Sequence, residues 1–248
     1  MILRVLSTGS KANCYALEAG SEILLLDAGL HFRDIIRGLD GGYSKVVGAL
    51  LTHEHMDHAR GIRELMKYGT MVYTSKGTAE ALGIADSRQL KMVCFDCKPF
   101  EVGSFRIQPF KTEHDAVEPY GYVIQHVFTR ETLLFATDTY YLYHRFPGLN
   151  YWLVECNHIR SIMDQQYADG ELNQGLRKRL ITSHMSLERL LDCLAANDLS
   201  KARKIVLLHL SDARSDEAEM VRRVSEATRV ETVAAAAGLI IDLDMQPF

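Results

Sequence analysis

Short apolar runs alternate with amphipathic segments along the chain. The runs are bounded by Gly, Asp and Pro turns and predict strands, whereas apolar residues at spacings of three and four predict helices. In the N-terminal half this pattern predicts strands at 2–6, 14–18, 22–27, 46–51, 70–74, 89–94, 105–111 and 120–127, and helices at 31–38, 59–68 and 77–83.

The C-terminal half mixes strands and helices in the same way. Its pattern predicts strands at 133–136, 151–154 and 204–209, a helical stretch to about residue 180, helices at 186–197 and 215–228, and two closing strands. Because both halves are mixed, we expect an α/β (α+β) fold, a four-layer αβ/βα sandwich of two mixed β-sheets flanked by helices. We expect residues 1–248 to form a single domain.

Composition and charge exclude some classes of protein. Hydrophobic residues make up 47% of the 248 residues, which is enough for a sizeable core. No segment approaches the ~20 consecutive apolar residues of a membrane span, so we expect no membrane partner. The net charge of −4 gives no global attraction to nucleic acid, although a local basic groove stays open.

Cysteine usage and the first residues bear on the cellular compartment. Five cysteines, an odd number, predict free thiols in a reducing compartment. The chain opens on a predicted strand rather than a leader segment, so we predict a cytoplasmic protein. The pair Cys94-Phe-Asp-Cys97 is typical of zinc or redox sites, but no second pair of this kind completes four ligands.

Three histidines and an aspartate lie within six positions, directly after the apolar strand predicted at 46–51. These residues are His53, His55, Asp57 and His58. Histidines at i and i+2 leaving a strand end can aim two imidazoles at one point, and the following Asp-His pair can reach a neighbouring point. A polar loop that merely ends the strand is the alternative. The pattern favours two adjacent metal ions.

Three further polar residues end apolar strands and complete a ligand set. They are His114, Asp138 and His209. Taken singly, His114 is typical of a surface histidine, Asp138 of a turn aspartate and His209 of a buried histidine at a strand end. Taken together, they predict that one metal is held by His53, His55 and His114, that the second is held by Asp57, His58 and His209, and that Asp138 bridges both.

These motifs resemble the metallo-β-lactamase-fold superfamily over nearly the whole chain. The matching segments are Thr-His-Glu-His-Met-Asp-His at 52–58, His-Asp-Ala at 114–116, Thr-Asp-Thr at 137–139 and His-Leu-Ser at 209–211. More narrowly, the chain is similar to the YycJ-like (WalJ-like) bacterial group, through Gly-Ser-Lys-Ala-Asn-Cys at 9–14, Leu-Leu-Asp-Ala-Gly at 25–29, Glu-Cys-Asn-His at 155–158 and Ser-His-Met-Ser at 183–186.

The resemblance implies a dinuclear, usually zinc, centre and hydrolytic chemistry. The YycJ-like group is thought to contain DNA exonucleases, and its relatives include ribonuclease Z and small phosphodiesterases. Two cations would then bind a bridging hydroxide and polarise a phosphoryl or carbonyl oxygen. We expect two divalent ions, zinc first, with manganese or iron as alternatives, because His and Asp accept all three.

The same resemblance and the local sequence suggest roles for residues around the metals. Asp57 could orient or deprotonate the attacking water, and His184 could protonate the departing alkoxide. His184 could instead be a structural residue beside the N-cap of the next helix. Asp27 would orient a metal-ligand histidine, and Asn13 and His158 are weaker candidates for contact with substrate or with a ligand side chain.

The leading hypothesis is therefore a phosphodiesterase or nuclease that acts on DNA or RNA. Basic residues support it, although solvated helix surface is the ordinary role of such residues: Arg177, Lys178, Arg179, Arg189, Lys201, Arg203 and Lys204. Tyr140, Tyr141 and Tyr143 could stack on bases or belong to the core. A hydrolase of a small ester, thioester or lactone is the alternative, and a metal-stabilised binding subunit is a third hypothesis. Substrate and oligomeric state stay open.

Overall fold

The computed structural model describes residues 1–243. Its strands are β1 (Ile2–Ser7), β2 (Cys14–Ala19), β3 (Glu22–Leu26), β4 (Val46–Leu50), β5 (Val72–Thr74), β6 (Leu90–Met92), β7 (Phe100–Val102), β8 (Phe105–Lys111), β9 (Tyr120–His126), β10 (Thr132–Ala136), β11 (Tyr151–Glu155), β12 (Lys204–Leu208), β13 (Glu231–Ala234) and β14 (Ile240–Asp242). Its α-helices are α1 (Phe32–Gly38), α2 (Met56–Ala59), α3 (Ile62–Lys67), α4 (Lys76–Ala81), α5 (Arg160–Ala168), α6 (Gln174–Ser183), α7 (Leu187–Ala195) and α8 (Glu217–Thr228), and Gly42–Lys45 forms a 3₁₀ helix.

The strands form two seven-stranded mixed sheets flanked by helices, and the predicted fold class is confirmed. The described residues divide into two compact units. Unit 1 comprises Met1–Lys111, Ala116–Glu131 and the described chain from Ala236 onward. Unit 2 comprises Thr112–Asp115 and Thr132–Ala235. The single domain over 1–248 stays a prediction.

Unit 1 contains the whole first sheet, in the strand order β14-β1-β2-β3-β4-β5-β6. The strands from β3 to β6 are parallel, and the others pair antiparallel. Leu25 and Ala49 of this sheet are fully buried in one cluster with Ile35 of α1 and with Ile62 and Leu65 of α3. Removal of this apolar surface from water holds the helices against one face of the sheet.

The opposite face of the first sheet packs on β7, β8 and β9 within unit 1. Tyr73 of β5 stacks on Phe100 of β7 with ring centroids 5.2 Å apart, and the buried Tyr122 hydroxyl of β9 donates to the Leu51 carbonyl at 2.7 Å. Strand β7 was not predicted, because it has only three residues. The signal in the sequence was Gly103, which lies in the two-residue loop of the hairpin between β7 and β8 and has φ 56° there.

Unit 2 is built on four parallel strands in the order β13-β12-β11-β10. All five residues of β11 and of β12 are buried, as is typical of parallel strands with covered faces. Helix α7 buries Leu187, Leu190 and Leu194 at helical spacing. The carboxyl ends of parallel strands lie at one edge of the sheet, so polar residues that follow β10, β11 and β12 collect there.

Two details of the predictions are wrong. The helix predicted at 59–68 is two helices, α2 and α3, separated near Gly61, whose amide donates to the Ala28 carbonyl at 2.8 Å. Cys94 and Cys97 are joined in a disulfide, so the free thiols of the described residues are Cys14, Cys156 and Cys193, all buried. Among residues 1–243, none of the helices combines the length and the apolar character required to cross a bilayer.

We expect Tyr122→Phe to lower the free energy of unfolding by about 1 kcal/mol, because it deletes a hydrogen bond in a fully buried position. Urea unfolding followed by circular dichroism measures the change. Tyr68→Phe is the matched control, since Tyr68 is 60% exposed. Equal unfolding midpoints for the two variants would contradict this account of how β9 is held to the first sheet.

Candidate metal centre

In unit 1 the histidines predicted as ligands lie beside one another. His53 and His55 follow β4, and α2 presents Asp57 and His58 in its first turn. The ring of His53 lies 4.7 Å from that of His55 and 4.2 Å from that of His58, measured between centroids. Asp57 Oδ2 is 3.5 Å from His58 Nε2. Imidazole nitrogens and a carboxylate at this spacing form a donor set that suits divalent transition metals.

Asp27 holds these histidines from behind. Its buried carboxylate accepts from the Thr52 amide at 2.8 Å, from the Thr52 hydroxyl at 2.9 Å and from His58 Nδ1 at 2.8 Å. The Thr52 hydroxyl in turn lies 2.9 Å from His53 Nδ1. Burial raises the pKa of Asp27, and the charge of His58 opposes that rise. One carboxylate therefore contacts His58 directly and His53 through Thr52, and its role in orienting a metal ligand stays a prediction.

The backbone of the histidine segment is held against the loop after β1. The Asn13 amide donates to the Asp57 carbonyl at 2.7 Å, and Asn13 Nδ2 lies 3.0 Å from His58 Nε2. A Cβ atom added at Gly29 would lie 1.7 Å from the same Asp57 carbonyl oxygen. No side chain fits at Gly29 without moving Asp57. Of the two contacts predicted for Asn13, with substrate or with a ligand side chain, the structure shows the second, to the predicted ligand His58.

In unit 2 the remaining predicted ligands also lie together. His114 Nε2 is 3.4 Å from Asp138 Oδ2, and His209 Nδ1 is 3.5 Å from Asp138 Oδ1. Asp138 follows β10 at φ 49° and His209 follows β12 at φ 54°, both in the left-handed region. This region turns the chain sharply, and non-Gly residues adopt it at a cost when their side chains are needed at a site.

Four of the histidines predicted as ligands are oriented in the same way. Nδ1 of each approaches a protein oxygen: Thr52 Oγ1 for His53, Asp27 Oδ2 for His58, the Ser183 carbonyl for His114 and Glu155 Oε1 for His209. Such a contact fixes the ring and directs Nε2 to the other side, as found for histidines that ligate metals. Within each unit, the chemistry and orientation of these residues therefore suit a divalent metal.

Glu155 is a site residue that the sequence analysis did not single out. It ends β11 with no solvent exposure, and its carboxylate accepts from His184 Nδ1 at 2.6 Å, from His209 Nδ1 at 3.1 Å, from the Thr139 amide at 2.9 Å and from the Met185 amide at 3.1 Å. Asp138, Glu155, His184 and His209 each offer a ligand atom, and these atoms lie within 4.8 Å of one another. The signal was present, because Glu155 directly follows an apolar run, as Asp138 and His209 do.

The charge of His184 follows from this carboxylate. Burial alone would lower the pKa of His184, but the charge and hydrogen bond of Glu155 outweigh burial and raise the pKa to about 9. Burial likewise opposes ionisation of Glu155, but His184 lowers the pKa of Glu155 to about 2. Both shifts favour a charged His184 paired with an ionised Glu155, an arrangement in which the second ring nitrogen of His184 carries a proton.

The other predicted residues are placed differently. His158 is buried and lines a cavity with three arginines, and burial lowers its pKa to about 4. Tyr143 is 64% exposed, so the core interpretation is wrong for it, and its hydroxyl lies 3.0 Å from that of Tyr140. Ion pairs occupy three of the predicted basic residues: Arg177 with Asp164, Arg179 with Asp115 and Lys204 with Glu231.

The sequence matches a known protein family over most of its length. The model of the Beta-lactamase superfamily domain matches residues 23–210. The chain belongs to the β-lactamase superfamily. This superfamily member is 29% identical to exodeoxyribonuclease WalJ of Streptococcus pneumoniae serotype 2 over 248 residues. The alignment covers 94% of the chain and 88% of that protein.

A second relative is also named an exodeoxyribonuclease, and a solved structure shares the fold. Exodeoxyribonuclease YycJ of Bacillus anthracis is 28% identical over 222 residues, covering 84% of the chain and 81% of that protein. The metallo-β-lactamase fold protein YhfI from Bacillus subtilis superposes with a TM-score of 0.74 at 18% identity, over 97% of this chain and 98% of that one. The predicted superfamily and the prediction of a metal-dependent hydrolase are confirmed.

We expect Asp27→Asn to weaken metal binding roughly 10- to 100-fold, because an amide cannot accept from Thr52 and His58 as the carboxylate does. Competition for Zn²⁺ with a chelator of known affinity measures the change. Asp192→Asn, which removes an exposed carboxylate from α7, serves as the control. If the two variants hold zinc equally well, Asp27 does not orient the ligands.

Proposed function

We propose that this superfamily member is a DNA exonuclease that uses two divalent metal ions. The observation that carries the proposal is the His184–Glu155 pair, 2.6 Å apart, among the donor atoms of Asp138 and His209. A proton donor beside metal ligands suits a reaction in which a poor leaving group departs, as in cleavage of a phosphodiester. The names of the two relatives, both exodeoxyribonucleases, support DNA as the substrate.

The proposed ligands are those predicted from the sequence. His53, His55 and His114 would hold one ion, Asp57, His58 and His209 the other, and Asp138 would bridge them. Bound divalent ions would supply an acidified water and neutralise charge on phosphoryl oxygens. We propose zinc, because nitrogen donors predominate in the set, with manganese and iron as the alternatives.

The chain's own residues would position and protonate the reacting groups. Asp57, whose side chain is 27% exposed, would orient the attacking water and accept its proton. His184, fixed through Nδ1 by Glu155, would give the proton on its other ring nitrogen to the departing oxygen of the sugar. Glu155 keeps this imidazole charged before the reaction and orients it throughout. The cytoplasm stays the proposed location.

We expect metal-loaded protein to hydrolyse bis-p-nitrophenyl phosphate and end-labelled DNA, and Asp138→Ala to lose bound metal and both activities together, because the bridging carboxylate is gone. Rates of hydrolysis on these substrates, RNA, thioesters and lactones distinguish a nuclease from an ester, thioester or lactone hydrolase. Turnover of lactones or thioesters alone would move the protein to the alternative class. An Asp138→Ala protein that keeps metal and wild-type rates would contradict the ligand assignment.

We expect His184→Ala to retain metal and to lose DNA cleavage by roughly 10²- to 10⁴-fold, the usual contribution of a general acid. Hydrolysis of bis-p-nitrophenyl phosphate should fall far less, since nitrophenolate leaves without protonation. His184→Gln, which keeps a donor toward Glu155, separates proton donation from packing, and His31→Ala on the exposed surface is the control. Equal losses on both substrates would argue against proton donation by His184.

A further inference from the structure

A second polar site lies in unit 2, outside the predicted metal ligands. It is a cavity of about 240 Å³ lined by His158, Arg160, Arg177, Ile181, Ser186 and Arg189. Its volume is below the range of pockets that enclose drug-sized ligands, so it suits a small group rather than a whole nucleoside. Three guanidinium groups around so small a space indicate an anion.

Two of the three arginines are held in place by other side chains. Arg177 pairs with Asp164 at 2.6 Å and lies over the ring of Tyr167 at 5.1 Å. Arg189 donates to the Ile181 carbonyl and lies over the ring of Tyr140 at 5.0 Å. The guanidinium groups are therefore oriented before any ligand arrives, which lowers the entropic cost of binding.

The cavity keeps a net positive charge after the ion pairs between its arginines and nearby carboxylates are counted. Asp164 balances Arg177. Glu188 accepts from the Arg160 backbone amide at 3.3 Å and lies 3.7 Å from Arg223. Within residues 1–243, neither the Arg160 nor the Arg189 guanidinium has a carboxylate partner. Two uncompensated positive charges match a phosphate monoester, which carries nearly two negative charges at neutral pH, better than an internal phosphodiester, which carries one.

Buried polar groups complete the wall. His158 is 2% exposed, and its Nδ1 is buried with no hydrogen-bond partner in the described part of the chain. Ser186, also 2% exposed, caps α7 by accepting from the Arg189 amide at 3.3 Å. A buried imidazole nitrogen left without a partner is costly unless a ligand or water satisfies it. An anion bound in the cavity would use this group.

We propose that this cavity binds the terminal phosphate monoester of a nucleic-acid strand. The cavity and His184 are joined through one short segment, since Ser183 ends α6 and Ser186 caps α7 with His184 between them. The backbone of His158 forms an isolated β-bridge with Ser186, the last residue of this segment. A nucleic-acid strand whose terminal phosphate is held in the cavity would therefore reach His184, the proposed proton donor, at a fixed distance from its end. The inference rests on the proposed function for its substrate, but its binding test does not.

Phosphate binding tests the cavity without any cleavage. Inorganic phosphate is titrated calorimetrically into the metal-loaded protein and into Asp138→Ala, where the proposed metal site is lost and the cavity is intact. Adding Arg160→Gln to either protein should weaken phosphate binding roughly tenfold, because one charge-assisted contact is removed. Arg222→Gln, the same change on α8, should not. Unchanged affinity in Arg160→Gln would overturn the proposal even if the protein is an active nuclease.

Cleavage of matched oligonucleotides distinguishes a terminal phosphate from other sources. DNA strands of one sequence carry a 5′-phosphate, a 3′-phosphate or hydroxyls at both ends. The wild-type protein should prefer one phosphorylated end, and Arg160→Gln should lower that preference roughly tenfold while Arg222→Gln keeps it. Equal weakening on all three strands would assign the cavity to internal backbone phosphates and refute the terminal site. Phosphate binding that depends on Arg160, without cleavage of any DNA, would refute the proposed function and keep the anion site.

Discussion

A carboxylate that is removed from water must be satisfied by the protein around it, and each unit contains one such group at its site. Asp27 and Glu155 have no solvent exposure. The free-energy cost of burying a charge without partners is large, so the segments that donate to these carboxylates have little freedom to move. Asp27 binds Thr52 and His58, and Glu155 binds His184, His209 and two backbone amides. The orientation of His53, His58 and His209, three of the predicted ligands, depends on these two groups.

Much of this arrangement could be predicted because the candidate ligands follow apolar strands. Asp138 and His209 were predicted in that way, and the strand pattern predicted two mixed sheets, although not the seven strands of each. Side-chain direction could not be read from the pattern, so the sequence did not show that Glu155 faces His184 while His158 lines a separate cavity. Strand β7 and the split between α2 and α3 were missed because they depend on three-residue pairing and on one close backbone contact at Gly61.

The arginine cavity shows a different limit of sequence reasoning. Arg160, Arg177 and Arg189 lie on three helices, and only the packing of α5, α6 and α7 brings their side chains to one space. Basic residues in the sequence suggested a diffuse groove. The structure instead divides them into residues neutralised by ion pairs and residues that retain an uncompensated charge, a distinction that requires knowing where Asp164 and Glu188 lie.

The left-handed backbone at Asp27, Asp138 and His209 couples stability to chemistry. Each residue turns the chain at a strand end and supplies a polar side chain from the same position. Glycine would relieve the backbone strain but remove the side chain, whereas other residues would keep the strain and place the wrong group. The trade-off between stability and activity is therefore located in three identifiable residues. Attempts to raise the thermal stability of this protein have most to gain elsewhere, in the exposed helices and loops.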